Sequence, residues 1–142
     1  MDSPNSRRRL ALLAEDDRDI RQVLAGFLEE LGYDVISAAD GSDMLDALAA
    51  SLAKGAQPID VVITDIQMPG MNGLSVIEEL RADGWQQPIV VISAFREEAM
   101  LSRIRALPRV AFVAKPFDPA QFANTLERLV TDGVAPAPAP RE

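Results

Sequence analysis

The chain has 142 residues, enough for one full-sized core and cramped for two. It is 48% hydrophobic with 5% aromatics, and its 22 acidic against 14 basic residues give a net charge of −8 that argues against direct, salt-sensitive binding to nucleic acid. It has no Cys and no His: disulfides, thiolate catalysis, Cys-ligated zinc or iron–sulfur sites and the usual general base are excluded, and any phosphohistidine must belong to another molecule.

Residues 1–9 lack periodicity and read as a flexible leader. Arg7, Arg8 and Arg9 faintly resemble the start of a signal peptide, but the apolar stretch Leu10–Ala14 is too short for one. Nothing approaches the ~20 apolar residues of a membrane span, so a cytoplasmic protein without membrane insertion is expected. Leu10–Ala14 instead reads as a buried first strand. Ile20, Val23, Leu24, Phe27, Leu28 and Leu31 follow helical spacing, and Gly32 stops that helix. Tyr33–Ala38, more polar through Asp34 and Ser37, reads as an edge strand. Asp40-Gly-Ser-Asp opens a second helix with Met44, Leu45, Leu48 and Leu52, ending near Gly55.

The run Asp60–Thr64 contains Val61-Val-Ile, apolar without alternation, and predicts a strand buried on both faces. A third helix carries Leu74, Ile77 and Leu80 and ends near Gly84; Pro88–Ile92 is a second central strand. The fourth helix, about Arg96–Leu107, has sparse apolar positions (Met100, Ile104, Leu107) and a wide polar surface, so it is a candidate moving part. Val110–Ala114 is the last strand. Asp118-Pro119 starts a helix with Phe122, Leu126, Leu129 and Val130, and Gly133 ends the fold. The folded domain is thus read as 10–132, and 133–142, with Ala-Pro-Ala-Pro-Ala-Pro, as an extended tail or a linker cut short with no second domain following.

Five apolar runs alternating with helical patterns are the signature of a doubly wound parallel sheet. Its strand carboxyl ends form the ligand crevice. Glu15-Asp16, Asp65, Ser93 and Lys115 each fall just past such a run. That pocket would hold three carboxylates, a hydroxyl and an ammonium, a set suited to Mg²⁺ (or Mn²⁺) plus a phosphoryl group. Each residue alone has a blander reading. Acids before a helix usually cap it, and Asp17 is assigned only that. An Asp before a Pro-Gly turn is usually a turn residue, most lysines are merely solvated, and Ser93 at a strand end can be a cap. The case rests on their convergence beside a central strand. A cis Lys115–Pro116 bond would aim the ammonium at the pocket. With no P-loop or GxGxxG and no His or Cys, the remaining chemistry is attack by an Asp carboxylate on a phosphoryl group, giving an aspartyl phosphate.

Five motifs, Leu-Leu-Ala-Glu15-Asp16-Asp, Ile-Thr-Asp65-Ile-Gln-Met-Pro-Gly-Met-Asn-Gly, Val-Ile-Ser93-Ala94, Phe112 and Lys115-Pro116-Phe117, together resemble the receiver (response-regulator) domain family over about Leu10–Thr131. The resemblance implies a flavodoxin-like (βα)5 sheet in the order 2-1-3-4-5. It implies phosphorylation of Asp65 by a partner histidine, on a sensor histidine kinase or a histidine phosphotransfer protein. Asp16 and Asp65 would ligate Mg²⁺ directly, with the Gln67 carbonyl, and Glu15 through water. Ser93 and Lys115 would contact the phosphoryl group, and Phe112 would be the aromatic switch that alters a helix 4–strand 5–helix 5 surface for a downstream protein. The chain is then a signalling switch, a single-domain phosphoacceptor that acts only on its own aspartate.

Departures are mild. Glu stands at 15 where Asp is more usual, Phe112 lacks the more usual tyrosine hydroxyl, and Phe95 is large and apolar where hydrolysis rate is often tuned. Phe95 shielding the phosphoryl group predicts slow autodephosphorylation. A phosphorylation-independent interaction module of the same fold is the alternative, and a phosphate-ester hydrolase ranks last because position 67 is Gln rather than an acid/base Asp.

Overall fold

A computed structural model describes residues 8–68, 71–94 and 96–132. Most of the expected leader, the expected tail, the Pro69-Gly70 turn and Phe95 lie outside the described residues. The chain runs β1 (Arg9–Ala14), α1 (Arg18–Glu30), β2 (Tyr33–Ala38), α2 (Gly41–Ser51), β3 (Val61–Asp65), α3 (Gly73–Ala82), β4 (Ile89–Ser93), α4 (Glu98–Arg105), β5 (Val110–Ala114) and α5 (Pro119–Asp132). The five strands form one parallel sheet in the order 2-1-3-4-5: the doubly wound sheet that the alternation of runs predicts, in the flavodoxin-like order that the family resemblance implies.

The period of two along each strand sorts the apolar residues into two layers. Leu10, Leu12, Val62, Val91 and Val110 pack with Met44, Leu74, Ile77 and Ile104 on the face covered by α2, α3 and α4. Ala11, Leu13, Ile63, Val90 and Val113 pack with Leu24, Leu28, Phe122 and Leu126 on the face of α1 and α5. Strands β3 and β4 are buried at every position, which is why their sequences do not alternate. The edge strand β2 leaves Asp34, Ile36 and Ser37 exposed. Asp17, Asp40 and Asn72 cap α1, α2 and α3, their side chains accepting from the N–H groups of Ile20, Asp43 and Ser75.

Three local features differ from the expectation. Helix α2 stops at Ser51 with Leu52 as its C-cap, short of Gly55. The loop after β3 folds back as a short antiparallel ribbon, Gln67–Met68 against Met71–Asn72. Gly73 follows this ribbon: its N–H donates to the Ile66 carbonyl at 3.3 Å, and a Cβ on Gly73 would lie 2.8 Å from the Ile66 Cα. Helix α4 is shorter than Arg96–Leu107 and has no side-chain cap at Glu97. It is held by buried Met100 and Ile104 and by Arg103, whose guanidinium meets both Glu78 oxygens on α3.

Opposite the pocket end of the sheet, Arg81 of α3 is buried without a carboxylate partner among the described residues. Its Nε, Nη1 and Nη2 donate to the carbonyls of Pro108 (2.8 Å), Trp85 (2.7 Å), Gln87 (2.7 Å) and Arg109 (3.1 Å). Burial, with the Arg109 charge second, lowers its pKa to about 10, so it stays protonated at neutral pH. No helix among the described residues is long and apolar enough to cross a membrane.

Candidate functional site

The carboxyl ends of β1, β3 and β5 bring Glu15, Asp65 and Lys115 together. Glu15 directly follows β1 and is 1% exposed; its N–H donates to the Ala38 carbonyl at the end of β2 at 3.0 Å. Asp65 is the last residue of β3 and 7% exposed, and its Oδ1 accepts from the Gln67 N–H at 2.8 Å. Lys115 lies just beyond β5, after which the Lys115–Pro116 bond is cis. Its Nζ sits 2.6 Å from Asp65 Oδ2 and 2.7 Å from Glu15 Oε1. Asp17 does more than cap α1: its N–H also donates to Glu15 Oε2 at 2.9 Å.

Asp16 completes the acidic set. One oxygen from each of Glu15, Asp16 and Asp65 lies within 4.8 Å of the others, with Asp16 exposed and the other two buried. Ser93 ends β4 and is fully buried; in register it neighbours Ala114 of β5, its carbonyl accepts from the Lys115 N–H at 2.9 Å, and the preceding Ile92 pairs with Asp65. Gln67 stands two residues beyond Asp65 in the ribbon. Phe112 is half-buried on β5 and packs against the layer under α2, α3 and α4, so it belongs to the α4 side of the sheet. The structure thus brings Glu15, Asp16, Asp65 and Lys115 into one cluster, with Ser93 and Gln67 on adjoining strand and loop ends. Phe112 stands apart on the neighbouring face.

The electrostatics follow from burial. Burial raises the Glu15 carboxyl above its ordinary 4.5, and the hydrogen bonds from Lys115 and the Asp17 N–H offset this only in part. For Lys115, burial alone would lower the pKa, but the hydrogen bonds and charges of Asp65 and Glu15 outweigh it and raise the ammonium above 10.5. Three carboxylates against one ammonium leave the pocket with excess negative charge. The donors are all oxygen, with no His or Cys, and a hard divalent cation fits such a set. The Asp65 carboxylate is held at one oxygen by a backbone N–H and at the other by an ammonium.

One participant carries no motif. Arg21, a turn into α1, donates through Nη1 to the carbonyl of Glu15 at 2.7 Å, with a longer 3.4 Å contact to that of Asp16. No spacing rule signals it, because its partners are backbone carbonyls five and six residues back.

The family model for the response regulator receiver domain matches residues 11–127. The transcriptional regulatory protein AruR of Pseudomonas aeruginosa is 33% identical over 121 residues, covering 84% of this chain and 48% of AruR. The transcriptional regulatory protein PdtaR of Mycobacterium tuberculosis is 35% identical over 124 residues, covering 87% of this chain and 57% of PdtaR. The chain therefore spans about half the length of these curated relatives. Among solved structures, the chemotaxis response regulator CheY4 of Vibrio cholerae superposes with a TM-score of 0.71 at 28% identity, over 87% of this chain and 99% of that one.

Proposed function

The chain belongs to the response regulator receiver domain family of two-component systems, and from that premise we propose that it is a phosphoacceptor whose phosphorylated residue is Asp65. A carboxylate oxygen of Asp65 attacks the phosphorus of a phosphohistidine on a cytoplasmic sensor kinase or phosphotransfer protein. The P–O bond forms as the P–N bond breaks, the imidazole leaves with the electron pair, and the product is an acyl phosphate. Lys115 neutralises charge on the phosphoryl oxygens, and the Ser93 hydroxyl donates to one of them. Asp16 and Asp65 directly, the Gln67 carbonyl, and Glu15 through water would hold Mg²⁺ or Mn²⁺, which would offset charge on the transferred group. Once Ser93 and Lys115 engage the phosphoryl group, Phe112 repositions and the surface of α4, β5 and α5 changes for a downstream protein. Hydrolysis of the acyl phosphate by the domain itself resets the switch.

The supporting observation is Lys115 Nζ lying between Asp65 and Glu15, with Asp16 close by. An interaction module indifferent to phosphate would have no use for two buried carboxylates, each costly to desolvate. Intact-mass measurement after treatment with acetyl phosphate and Mg²⁺ tests the reading. One added phosphate, lost in Asp65→Asn and in the presence of EDTA, is expected. A wild-type mass unchanged under saturating donor would overturn it.

A further inference from the structure

The three carboxylates of the site are not held alike. Glu15 is fixed at both oxygens, by the Asp17 N–H and by Lys115, and Asp65 at both, by the Gln67 N–H and by Lys115. Among the described residues nothing hydrogen-bonds the Asp16 carboxylate, which is also the exposed member. A side chain in that position loses rotamer freedom whenever it takes up a fixed geometry, and the same loss recurs in its backbone unless the peptides on either side are already held.

Those two peptides are what Arg21 touches. The Glu15 carbonyl belongs to the peptide before the Asp16 Cα and the Asp16 carbonyl to the peptide after it. One guanidinium nitrogen reaching both, at 2.7 and 3.4 Å, restrains φ and ψ of Asp16 together. Arg21 is itself placed by α1, its N–H donating to the Asp17 carbonyl at 2.9 Å, while the Asp17 side chain caps the same helix. The guanidinium is thus fixed at its base by a helix and at its tip by the loop whose shape it sets.

Resting on the assignment of Asp16, Asp65 and Glu15 as holders of a divalent cation, we propose that Arg21 is a positioning residue for that cation: it pre-sets the backbone from which the Asp16 carboxylate reaches it. Charge alone would give the opposite sign. Arg21 is a cation beside a cation site, so removing it on Coulomb grounds tightens metal binding. Removing a backbone restraint loosens it, because the ordering of Asp16 must then occur on binding.

The experiment is titration of the whole chain with MgCl₂ by calorimetry, on wild type, Arg21→Gln, Arg21→Lys and Arg18→Gln, with thermal unfolding in EDTA alongside. Arg18 is exposed at the start of the same helix and reports the effect of helix charge alone. Arg21→Gln should weaken Mg²⁺ binding on the order of tenfold, Arg21→Lys should recover part of that loss, and Arg18→Gln should bind as tightly as wild type or slightly tighter. Unchanged or tighter binding in Arg21→Gln would overturn the proposal. If Arg21→Gln unfolds, Arg21→Lys decides, since a single ammonium reaches the two carbonyls less well; weaker binding than wild type supports the role, and equal binding ends it. Failure of the wild type itself to bind Mg²⁺ would instead remove the cation assignment beneath it.

Discussion

Lys115 and Asp65, fifty residues apart, meet at 2.6 Å, and the same ammonium reaches Glu15 at 2.7 Å. Without a metal, Lys115 is the counter-ion of a pocket too acidic to stand alone. Lys115→Met therefore leaves two buried carboxylates uncompensated, and urea unfolding in EDTA should show a loss of about 3 kcal/mol. Mg²⁺ should return part of that loss, and the stabilisation it brings should exceed the one it brings to wild type, since it no longer competes with the ammonium. Equal stability of the two proteins in EDTA would contradict this picture.

The raised Glu15 carboxyl gives opposite pH trends with and without metal. In EDTA an acid whose folded pKa lies above its unfolded value weakens the fold once ionised, and protonation relieves it. Glu15's contribution should thus become more favourable as pH falls from neutral toward 4.5. With Mg²⁺, protons compete for the same carboxylate, so affinity should fall over that interval, beginning above the ordinary carboxylate range. Parallel titrations of wild type and Glu15→Gln, by calorimetry and thermal unfolding, should show both trends in the first and weaker ones in the second.

Gly73→Ala places a methyl group 2.8 Å from the Ile66 Cα, where backbone rather than a flexible side chain must move. The expected loss is about 1–3 kcal/mol of stability. The displaced ribbon carries the Gln67 N–H that holds Asp65, so weaker Mg²⁺ binding should accompany it. A variant with wild-type stability and wild-type affinity would show that the approach is relaxed at no consequence.

Helix α4 joins α3 through Arg103 and Glu78. That pairing, with slight opposition from burial, lowers the Glu78 carboxyl below its ordinary 4.5. The contact is thus present at neutral pH and lost only as pH falls through that lowered value. Glu78→Gln should speed amide exchange across Glu98–Arg105 at pH 7 while leaving β3 and β4 protected. Unaltered exchange in α4 would mean that Met100 and Ile104 alone secure it.

Most of this architecture is visible in the residue order. Val61-Val-Ile and Ile89-Val-Val-Ile announce buried strands because nothing in them alternates, and Asp17 and Asp118 announce helix starts through local capping chemistry. Glu15, Asp16, Asp65 and Lys115 are legible as a set because a parallel sheet carries every strand end to one side. What stayed hidden depends on distance in the chain. Arg81 reads as an ordinary surface arginine of a polar helix face, since its four carbonyl partners come from two loops 4 to 28 residues away. Arg21 looks like one more charge near a helix start until its carbonyl contacts are seen. The fold-back after Asp65 hinges on how closely Gly73 approaches Ile66, and no spacing rule encodes that.

Arg81 fastens the end of the sheet remote from Lys115, gripping the segments that lead into β4 and β5, while α4 opens at Glu98 without a side-chain cap. The domain resembles a tuning fork clamped at the stem. Among the described residues only backbone carbonyls meet the Arg81 guanidinium, so this clamp does not depend on the ionisation of any carboxylate.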